Sequence, residues 1–525
     1  MLYLTSAVAI ATTEDVSNML NLTPLLKYYF NRRVKAARSW TGHVKAVQTA
    51  QMLRLAAMAR DTAYGRLHRF DGIKSYADFA GRLPVTDYET LRPDIMRMLA
   101  GESDILWPGR CRRFAQSSGT SEGKSKYIPV TDHSLRLNHY AGGRDVVAHY
   151  LSLYPDSRLF AGKAFILGGS FANELSKAEN PAGARIGDLS AHLIEAINPL
   201  AGLLRIPSRD VALMPDWTTK LTLLVQNSAH EDVTNISGVP SWFMTVLRQV
   251  IEYTGADNIH DVWPNLEVFF HGGISFEPYR EQYARLTDPA RMRYLETYNA
   301  SEGFFGVQTS REHGAMQLLL DTGVFYEFRP LDADPFDPEA PLPAWKVEQG
   351  QTYALLISSC NGLWRYSIGD TVTVHSVDPL MISIAGRTSH YINAFGEELM
   401  VHNADKALAM ACKATGARVS DYTAAPVYTT DSSRGHHQWL IEWTTPPHDI
   451  EAFADMLDSC LCRVNSDYQA KRTGNIFLAR LTITTARTGL FDSWLASTGK
   501  LGGQRKVPRL QNDRRIIEAM LRLNN

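Results

Sequence analysis

The segment Gln116 to Lys126 carries the side chains best suited to binding a phosphate group. It combines serine and threonine hydroxyls with Gly119 and Gly123 and with the positive charges of Lys124 and Lys126. Glycine lets the backbone approach an anion closely, and hydroxyls and backbone N–H groups can then donate hydrogen bonds to it. We therefore predict a phosphate-binding loop here, with a flexible surface loop of the same composition as the alternative.

The glycine spacing of this loop differs from that of the P-loop in nucleoside triphosphatases. Gly119, Gly123, Lys124 and Ser125 stand one residue short of the Walker A pattern. A Walker loop opens directly into a helix, whereas the residues after Lys126 are Tyr-Ile-Pro-Val, which predicts extended chain. The sequence therefore excludes a P-loop enzyme.

Two later clusters add a carboxylate each. Tyr298 to Gly306 places Glu302 among small and aromatic residues. Mg²⁺ takes one or two carboxylates together with phosphate oxygens, so Glu302 is a candidate metal ligand beside a triphosphate, and Tyr298 a candidate to pack against a nucleobase. A partly buried acid that caps a helix is the alternative.

Leu363 to Asp370 ends a strand-like run in Gly-Asp. An aspartate after a strand can accept hydrogen bonds from ribose hydroxyls, and an Asx turn is the alternative.

The sequence predicts alternating strands and helices as the elements that position these residues. Short apolar runs predict buried strands at 164–167, 268–270 and 354–357, and helical patterns lie between them at 242–253 and 279–286. An amphipathic helix is predicted at 43–60, and the chain stays mostly helical to about residue 110. The pattern favours an α/β core with a parallel or mixed sheet.

A smaller unit begins near Gly386 and Arg387. Its predicted elements are helix 403–414, strand 438–443, helix 450–464, strand 476–485 and helix 513–523. Two strands, each followed by a helix, predict a small α+β domain. We therefore divide the chain into a large domain, 1–386, and a small C-terminal domain, 387–525.

Composition bounds the class of protein. The chain has 525 residues, with 54 Lys and Arg against 55 Asp and Glu and a formal net charge of −1. This balance argues against a nucleic-acid binder, which needs a basic excess or face. No run is long and apolar enough to span a membrane, and the N-terminus lacks a secretory signal. Five cysteines with no C-x-x-C pair favour a reduced, cytoplasmic protein. The oligomeric state stays open.

The three clusters, taken together and in this order, resemble the nucleotide-binding motifs of the Gretchen Hagen 3 family of acyl-acid amido synthetases. That family belongs to the acyl-adenylate-forming superfamily, which includes firefly luciferase. Residues 117–129 are similar to its first motif, 298–306 to its second and 366–370 to its third. The resemblance spans roughly residues 25–515. It implies a large N-terminal α/β domain of adenylate-forming type and a small C-terminal α+β domain that swings about a hinge.

The resemblance also implies roles for single residues. ATP phosphates would be cradled by Ser117, Ser118, Gly119 and Thr120. Tyr298 and Ser301 would lie near adenine, Glu302 near the phosphates and Mg²⁺, and Asp370 at the ribose. Arg387, in a segment similar to the superfamily hinge, would approach the nucleotide. Lys506 would enter the site during adenylation. Plant members carry a lysine shortly after the hinge, where this chain has Glu398.

The acyl-acid pocket is the least transferable part of the resemblance. Residues 134–147 are predicted to form a helix that lines it, with Arg144 meeting the substrate carboxylate. His271 follows a predicted strand and precedes two glycines, which lets a ligand approach the backbone. His271 would border the acyl pocket or help deprotonate the incoming amine. A structural histidine is the alternative.

The implied reaction is ATP-dependent adenylation of a small carboxylic acid followed by amide formation with an amino acid. ATP and Mg²⁺ are the expected cosubstrate and metal. Two alternatives remain open from the residues. The acyl-adenylate could pass to a thiol such as coenzyme A, or the fold could bind a nucleotide without catalysis.

Overall fold

The computed structural model describes residues 21–117, 126–171, 175–176, 180–274, 276, 279–312, 314–387, 391–429, 434–475, 477–497 and 507–524. The helices of these residues are α1 (Thr23–Arg38), α2 (Val44–Ala59), α3 (Ala63–Leu67), α4 (Tyr76–Arg82), α5 (Tyr88–Leu99), α6 (Tyr140–Leu153), α7 (Leu189–Glu195), α8 (Pro199–Gly202), α9 (Arg209–Ala212), α10 (Trp217–Ser228), α11 (Pro240–Thr254), α12 (Ile259–Val262), α13 (Arg280–Leu286), α14 (Val401–Thr415), α15 (Ile450–Val464), α16 (Ser466–Arg472), α17 (Leu490–Ser497) and α18 (Arg515–Asn524). A π-helical turn, Ser134–His139, leads directly into α6.

The strands alternate with these helices in the first part of the chain and cluster in its middle. They are β1 (Arg113–Ser117), β2 (Lys126–Pro129), β3 (Lys163–Ile166), β4 (Arg185–Gly187), β5 (Arg205–Ile206), β6 (Val233–Gly238), β7 (Val268–His271), β8 (Arg293–Ala300), β9 (Gly303–Val307), β10 (Met316–Leu318), β11 (Val324–Pro330), β12 (Leu342–Pro343), β13 (Thr352–Ser359), β14 (Tyr366–Val377), β15 (Leu380–Arg387), β16 (Tyr391–Ile392), β17 (Leu399–Met400), β18 (Arg418–Val427), β19 (His436–Thr445) and β20 (Thr482–Ala486).

The largest sheet of the described residues is a mixed sheet of twelve strands, all of which lie within residues 163–387. Its strand order is β12-β11-β13-β14-β15-β10-β9-β8-β7-β6-β3-β5. The strands β5, β3, β6, β7 and β8 run parallel, and from β8 across to β12 each neighbouring pair is antiparallel. The mixed α/β class predicted from the sequence is therefore confirmed.

Two of the apolar runs in the sequence, 268–270 and 354–357, lie in strands that are buried on both faces. Every residue of β7 is buried, as is every residue of β13 except Thr352. Strands covered on both faces form unbroken apolar runs in the sequence, which is why β7 and β13 were predicted correctly. The predicted strand 164–167 corresponds to β3, in which only Phe165 is buried. The predicted helices at 43–60, 242–253 and 279–286 correspond to α2, α11 and α13.

Smaller sheets complete the fold. A three-stranded sheet, β2-β1-β4, carries the start of the predicted phosphate loop, and a three-stranded sheet, β18-β19-β20, lies in the C-terminal part. Two apolar clusters confined to residues 392–520 pack against the second of these sheets. No helix among the described residues has the length and apolarity to cross a bilayer.

The C-terminal prediction was incomplete, because it did not include α16, α17 or the short strands β16 and β17. It also missed β18, whose Pro426 cannot donate to a ladder; β18 is an edge strand, where proline is tolerated. The predicted strand 476–485 is a strand only from Thr482 onward. Leu478 is fully buried, but its N–H donates to the carbonyl of Lys471 in α16 (3.1 Å), so its apolar character serves helix packing.

Candidate active site

The candidate site lies where the parallel strands end. The carboxyl ends of β3, β6, β7 and β8 meet at one edge of the sheet, since these four strands are parallel neighbours. In open α/β sheets this edge is the usual place for a ligand. His271 is the last residue of β7, and Ser301 and Glu302 directly follow β8.

The first motif connects two antiparallel strands. Ser117 ends β1 and pairs in register with Lys126, the first residue of β2. The predicted phosphate-binding residues Ser118, Gly119 and Thr120 lie outside the described residues. Because a strand follows the loop, the sequence-based exclusion of a Walker P-loop is confirmed. The Tyr88 hydroxyl accepts a hydrogen bond from the N–H of Tyr127 (2.9 Å), which fixes the start of β2.

Glu302 occupies the tight turn of a hairpin. Ala300 of β8 and Gly303 of β9 are paired, so Ser301 and Glu302 alone make the turn. Glu302 is only 8% exposed. Asn361, in the connection between β13 and β14, donates from Nδ2 to the Glu302 carbonyl oxygen (3.1 Å) and so holds the turn in place.

The second and third motifs are in direct contact. The Tyr298 hydroxyl donates to Oδ2 of Asp370 (2.7 Å), and both residues are buried. Asp370 therefore lies beside the strand that leads to Glu302. The structure brings together a tyrosine predicted near adenine and an aspartate predicted at the ribose.

Asp370 lies within a strand and not after one, contrary to the sequence-based prediction. β14 continues to Val377, and its register against β13 shifts around Gly369. Gly369 has φ +92°, a left-handed conformation that glycine adopts without strain. A bulge of this kind re-aims side chains, and here it sets the position of Asp370. The backbone of Asp370 is also in register with that of Arg387 in β15, so the predicted hinge residue lies on the strand next to the third motif.

The chemistry of Glu302 fits Mg²⁺ bound together with phosphates. The described residues contain no group of three or more histidine, cysteine or acidic side chains able to hold a metal on their own. A single buried carboxylate matches the ligand preference of Mg²⁺, which takes one or two carboxylates and completes its shell with phosphate oxygens and water. Lys506, predicted to enter the site, lies outside the described residues.

His271 is packed into an aromatic cluster. It is 3% exposed, and its ring stacks on Phe276 with a centroid distance of 4.3 Å. Its carbonyl oxygen accepts a hydrogen bond from Oγ1 of Thr297 (3.0 Å). This packing accounts for the histidine structurally, and its role toward a substrate stays a prediction.

The residue after His271 must be glycine because the neighbouring strand β8 lies too close for a side chain. A Cβ on Gly272 would lie 2.5 Å from the carbonyl oxygen of Thr297 and 2.7 Å from its Oγ1. The close approach predicted for a ligand is thus made by β8. The absence of a side chain at Gly272 lets the end of β7 lie close to Thr297 of β8, the strand that leads to Glu302.

Arg144 lies on α6, the helix predicted to line the acyl pocket. Its guanidinium contacts Oδ1 of the fully buried Asp145 (3.2 Å). Arg33 of α1 also pairs with Asp145 (2.7 Å), and it binds Asp321 as well. Arg144 therefore belongs to a charged cluster at the α1–α6 contact, and contact with a substrate stays a prediction.

Sequence reasoning missed three residues that support the site. Asn138 in the π-helical turn accepts from the Phe304 N–H (2.7 Å) and donates to the Phe304 carbonyl (3.0 Å). Asn361 holds the Glu302 turn. Arg365 is fully buried and pairs with Glu327 (2.9 Å). Only Arg365 had a sequence signal, because it lies beside the third motif.

Comparison with known families identifies the three segments. Models of the GH3 family N-terminal, central and C-terminal domains match residues 33–292, 317–387 and 402–515. An indole-3-acetic acid-amido synthetase from Arabidopsis thaliana, GH3.3, is 23% identical and covers 95% of both chains. A probable indole-3-acetic acid-amido synthetase from Oryza sativa subsp. japonica, GH3.2, is also 23% identical, over 90% of this chain and 89% of the relative.

Solved structures share the fold. AtGH3.15 acyl acid amido synthetase in complex with 2,4-DB superposes with a TM-score of 0.59 at 18% identity, over 95% of this chain and 96% of that one. A 2-hydroxyisobutyryl-CoA ligase in complex with 2-HIB-AMP and CoA gives a TM-score of 0.53 at 14% identity, over 91% of each chain. Both are adenylate-forming enzymes with a large N-terminal and a smaller C-terminal domain. With all three family domains present in order, this chain belongs to the GH3 family, the Gretchen Hagen 3 family that its motifs resemble.

Proposed function

We propose that this protein is an ATP-dependent acyl-acid amido synthetase, which adenylates a small carboxylic acid and joins it to an amino acid. The contact between Tyr298 and Asp370 carries the proposal, because it unites the second and third nucleotide-binding motifs beside the Glu302 turn. Membership of a family whose similar members are named amido synthetases supports the same reaction.

The chemistry explains why such a site needs no protein nucleophile. A carboxylate resists attack by an amine because its leaving group would be oxide. Attack of the carboxylate oxygen on the α-phosphate of ATP releases pyrophosphate and leaves acyl-AMP, from which an amine displaces AMP to form the amide. Charge accumulates on phosphate oxygens in the first step, so catalysis requires positioned cations and hydrogen-bond donors.

Each motif then has a defined task toward ATP. The loop that begins at Ser117 and includes Ser118, Gly119 and Thr120 donates hydrogen bonds to the phosphates. Tyr298 and Ser301 border the adenine, and Asp370 accepts hydrogen bonds from the ribose.

The charged groups of the site act on the α-phosphate. Glu302 is the residue that would hold Mg²⁺, which when bound neutralises phosphate charge. Arg387 approaches the nucleotide from β15, and Lys506 adds positive charge during adenylation. The division into domains 1–386 and 387–525, with a hinge at Arg387, belongs to the same proposal.

The acid is the least defined substrate. Arg144 and His271 are the proposed contacts to it, although both already have partners within the protein. The relatives are named for indole-3-acetic acid, and a structural neighbour holds 2,4-DB. We propose an aryl, indolyl or aliphatic acid of that size as substrate, with the protein acting in the cytoplasm.

A pyrophosphate-release screen over such acids, with and without amino acids, tests the function. We expect release only with a matching acid, and mass spectrometry should identify an amide and AMP. Lys506→Ala should slow adenylation at least about 100-fold, because one positioned charge contributes that much to such a step. Lys45→Ala, on the exposed face of α2, is the matched control.

Three outcomes would contradict the proposal. Wild-type adenylation in Lys506→Ala would remove that lysine from the mechanism. Product formed only with a thiol acceptor would identify a thioester ligase. ATP binding without turnover across the whole panel would identify a non-catalytic protein.

A further inference from the structure

The connection between β13 and β14, residues 360–365, contacts the chain just after the first motif and the turn of the second, and it leads into the third. Oγ1 of Thr131, just past β2, donates to the carbonyl of Cys360 (2.8 Å). Nδ2 of Asn361 donates to the carbonyl of Glu302 (3.1 Å). The connection then runs directly into β14, which carries Asp370. One short segment therefore links the end of the phosphate-loop hairpin, the Glu302 turn and the ribose-binding strand.

The connection is rigid enough to fix distances between these parts. Cys360 and Asn361 are 0% and 1% exposed. The Cys360 N–H donates to the Gly323 carbonyl (3.2 Å), and the Gly362 N–H donates to the Ser359 carbonyl (3.0 Å). Gly362 has φ +91° and packs against Leu106, where a Cβ would meet the Leu106 Cβ at 2.8 Å. A side chain on this segment thus has little freedom to move.

Asn361 uses both ends of its amide. Its Oδ1 accepts a hydrogen bond from the Ser359 hydroxyl, and its Nδ2 donates to Glu302. The first bond orients the amide so that the donor points at the hairpin turn. Buried polar groups that are satisfied in this way specify one arrangement of the chain.

We propose that Asn361 is a positioning residue for Glu302. Its amide fixes the position of the β8–β9 turn relative to β1 and β2. It thereby fixes the position from which the Glu302 carboxylate would bind the metal–phosphate group. The inference rests on the proposed function. Asn361 itself touches neither ATP nor the metal in this assignment, and acts only through the backbone of Glu302.

Two substitutions remove the donor. Asn361→Asp keeps the size of the side chain and an oxygen for Ser359, but it loses the N–H donor. Asn361→Ala removes both bonds. Isothermal titration calorimetry of the full-length protein with ATP, in the presence of Mg²⁺ and then of EDTA, measures the effect. We expect both variants to bind ATP about tenfold more weakly in Mg²⁺, the scale of losing one buried hydrogen bond, and like wild type in EDTA.

Asn403→Ala is the matched control. Asn403 is also buried and donates from Nδ2 to a carbonyl, that of Val464 (3.0 Å), but it lies in the C-terminal unit. It should lower stability without a selective loss of Mg²⁺-dependent binding. If the Asn361 variants fail to fold, Ser359→Ala removes only the bond that orients the amide and should give a smaller loss in the same direction.

The results separate this inference from the proposed function. Wild-type ATP affinity in Mg²⁺ for the Asn361 variants would overturn the positioning role, as would an equal loss with and without Mg²⁺. An absence of ATP binding by the wild-type protein would instead contradict the proposed function itself.

Discussion

At the residue scale, the site depends on a few buried polar contacts that connect distant parts of the sequence. Tyr298 and Asp370 are separated by 72 positions, yet their side chains are 2.7 Å apart. The Tyr298 ring is also packed edge-on against Phe305 (5.1 Å). The tyrosine thus orients the aspartate that we assign to the ribose.

Tyr298→Phe tests that orientation. The ring packing is retained and only the hydroxyl is lost, which leaves the buried Asp370 with one partner fewer. We expect ATP to bind about 10-fold to 150-fold more weakly, in line with about 1.5–3 kcal/mol for a hydrogen bond to a charged group. Calorimetric titration with ATP measures it. Tyr326→Phe, which removes a buried hydroxyl bonded to the Leu319 carbonyl, should leave ATP affinity unchanged.

His139 provides a pH-dependent prediction. It is 4% exposed, neither ring nitrogen has a hydrogen-bond partner among the described residues, and burial lowers its pKa to about 4. The folded protein keeps this imidazole neutral, whereas the unfolded chain protonates it below about pH 6.5. Stability from this group is therefore complete above about pH 6.5 and is lost as the pH falls toward 4, by up to about 3 kcal/mol.

Urea unfolding of His139→Leu between pH 4.5 and 7.5 checks this assignment. The midpoint of the variant should depend on pH less steeply than that of wild type in the acidic half of the range. His448→Leu, at an exposed position, is the control and should follow wild type. Parallel pH profiles for His139→Leu and wild type would refute the assignment.

At the element scale, a buried ion pair holds the start of β14. Arg365 and Glu327 are each 0% exposed in their side chains and 2.9 Å apart. The guanidinium also donates to the carbonyls of Ala80 and Leu83 at the end of α4 (3.1 and 2.9 Å). Helix α4, strand β11 and strand β14 are therefore fixed to one another through a single side chain.

Arg365→Met should destabilise the protein by about 3–5 kcal/mol, because it leaves the Glu327 carboxylate buried without its counter-charge. The double variant Arg365→Met with Glu327→Leu should lose less than the single Arg365 variant. Chemical denaturation of the three proteins measures the difference. A double variant that is less stable than Arg365→Met would contradict this explanation, because removal of the unpaired carboxylate should relieve the cost of burying it.

The sequence predicted this element level unevenly, for physical reasons. Buried strands such as β7 can be predicted because most of their residues form one short apolar run, here Val268, Phe269 and Phe270. The helix 450–464 was placed correctly, with Asp449 capping its N-terminus through bonds to Glu451 and Ala452. The bulge at Gly369 and the connection around Asn361 depend on contacts across the sheet, which no local pattern records.

The same limit applies to the candidate site. The three motifs were visible because phosphate and metal chemistry demands particular residue types close together in sequence. That Tyr298 contacts Asp370, or that Asn361 holds Glu302, follows from the order of strands β8, β9, β14 and β15, which spacing alone does not determine.

At the scale of the whole molecule, the C-terminal unit is anchored by aromatic contacts. The Phe477 ring lies 4.9 Å from Trp217 and 5.8 Å from Trp242, which belong to α10 and α11. Lys471 of α16 lies over the Trp242 ring, with Nζ 3.9 Å from its centroid. The hydroxyl of Tyr279 also donates to the Ala394 carbonyl (2.6 Å).

Phe477→Ala should weaken this anchor. Truncation of a buried phenylalanine costs about 3–5 kcal/mol, and here the loss falls on the contact between the two units. We expect denaturant unfolding followed by tryptophan fluorescence to split into two transitions, the first at lower denaturant than in wild type. Phe336→Ala, which truncates a ring that is 58% exposed, is the control. A single transition at the wild-type midpoint would contradict the anchor.

The central claim is that a substrate carboxylate attacks the α-phosphate of ATP. It is tested most directly with an acid that carries ¹⁸O in its carboxyl group, incubated with the protein, ATP, Mg²⁺ and an amino acid. Mass spectrometry of the products should find one ¹⁸O in AMP and none in pyrophosphate, together with an amide. Label in inorganic phosphate, with ADP as the nucleotide product, would contradict the account.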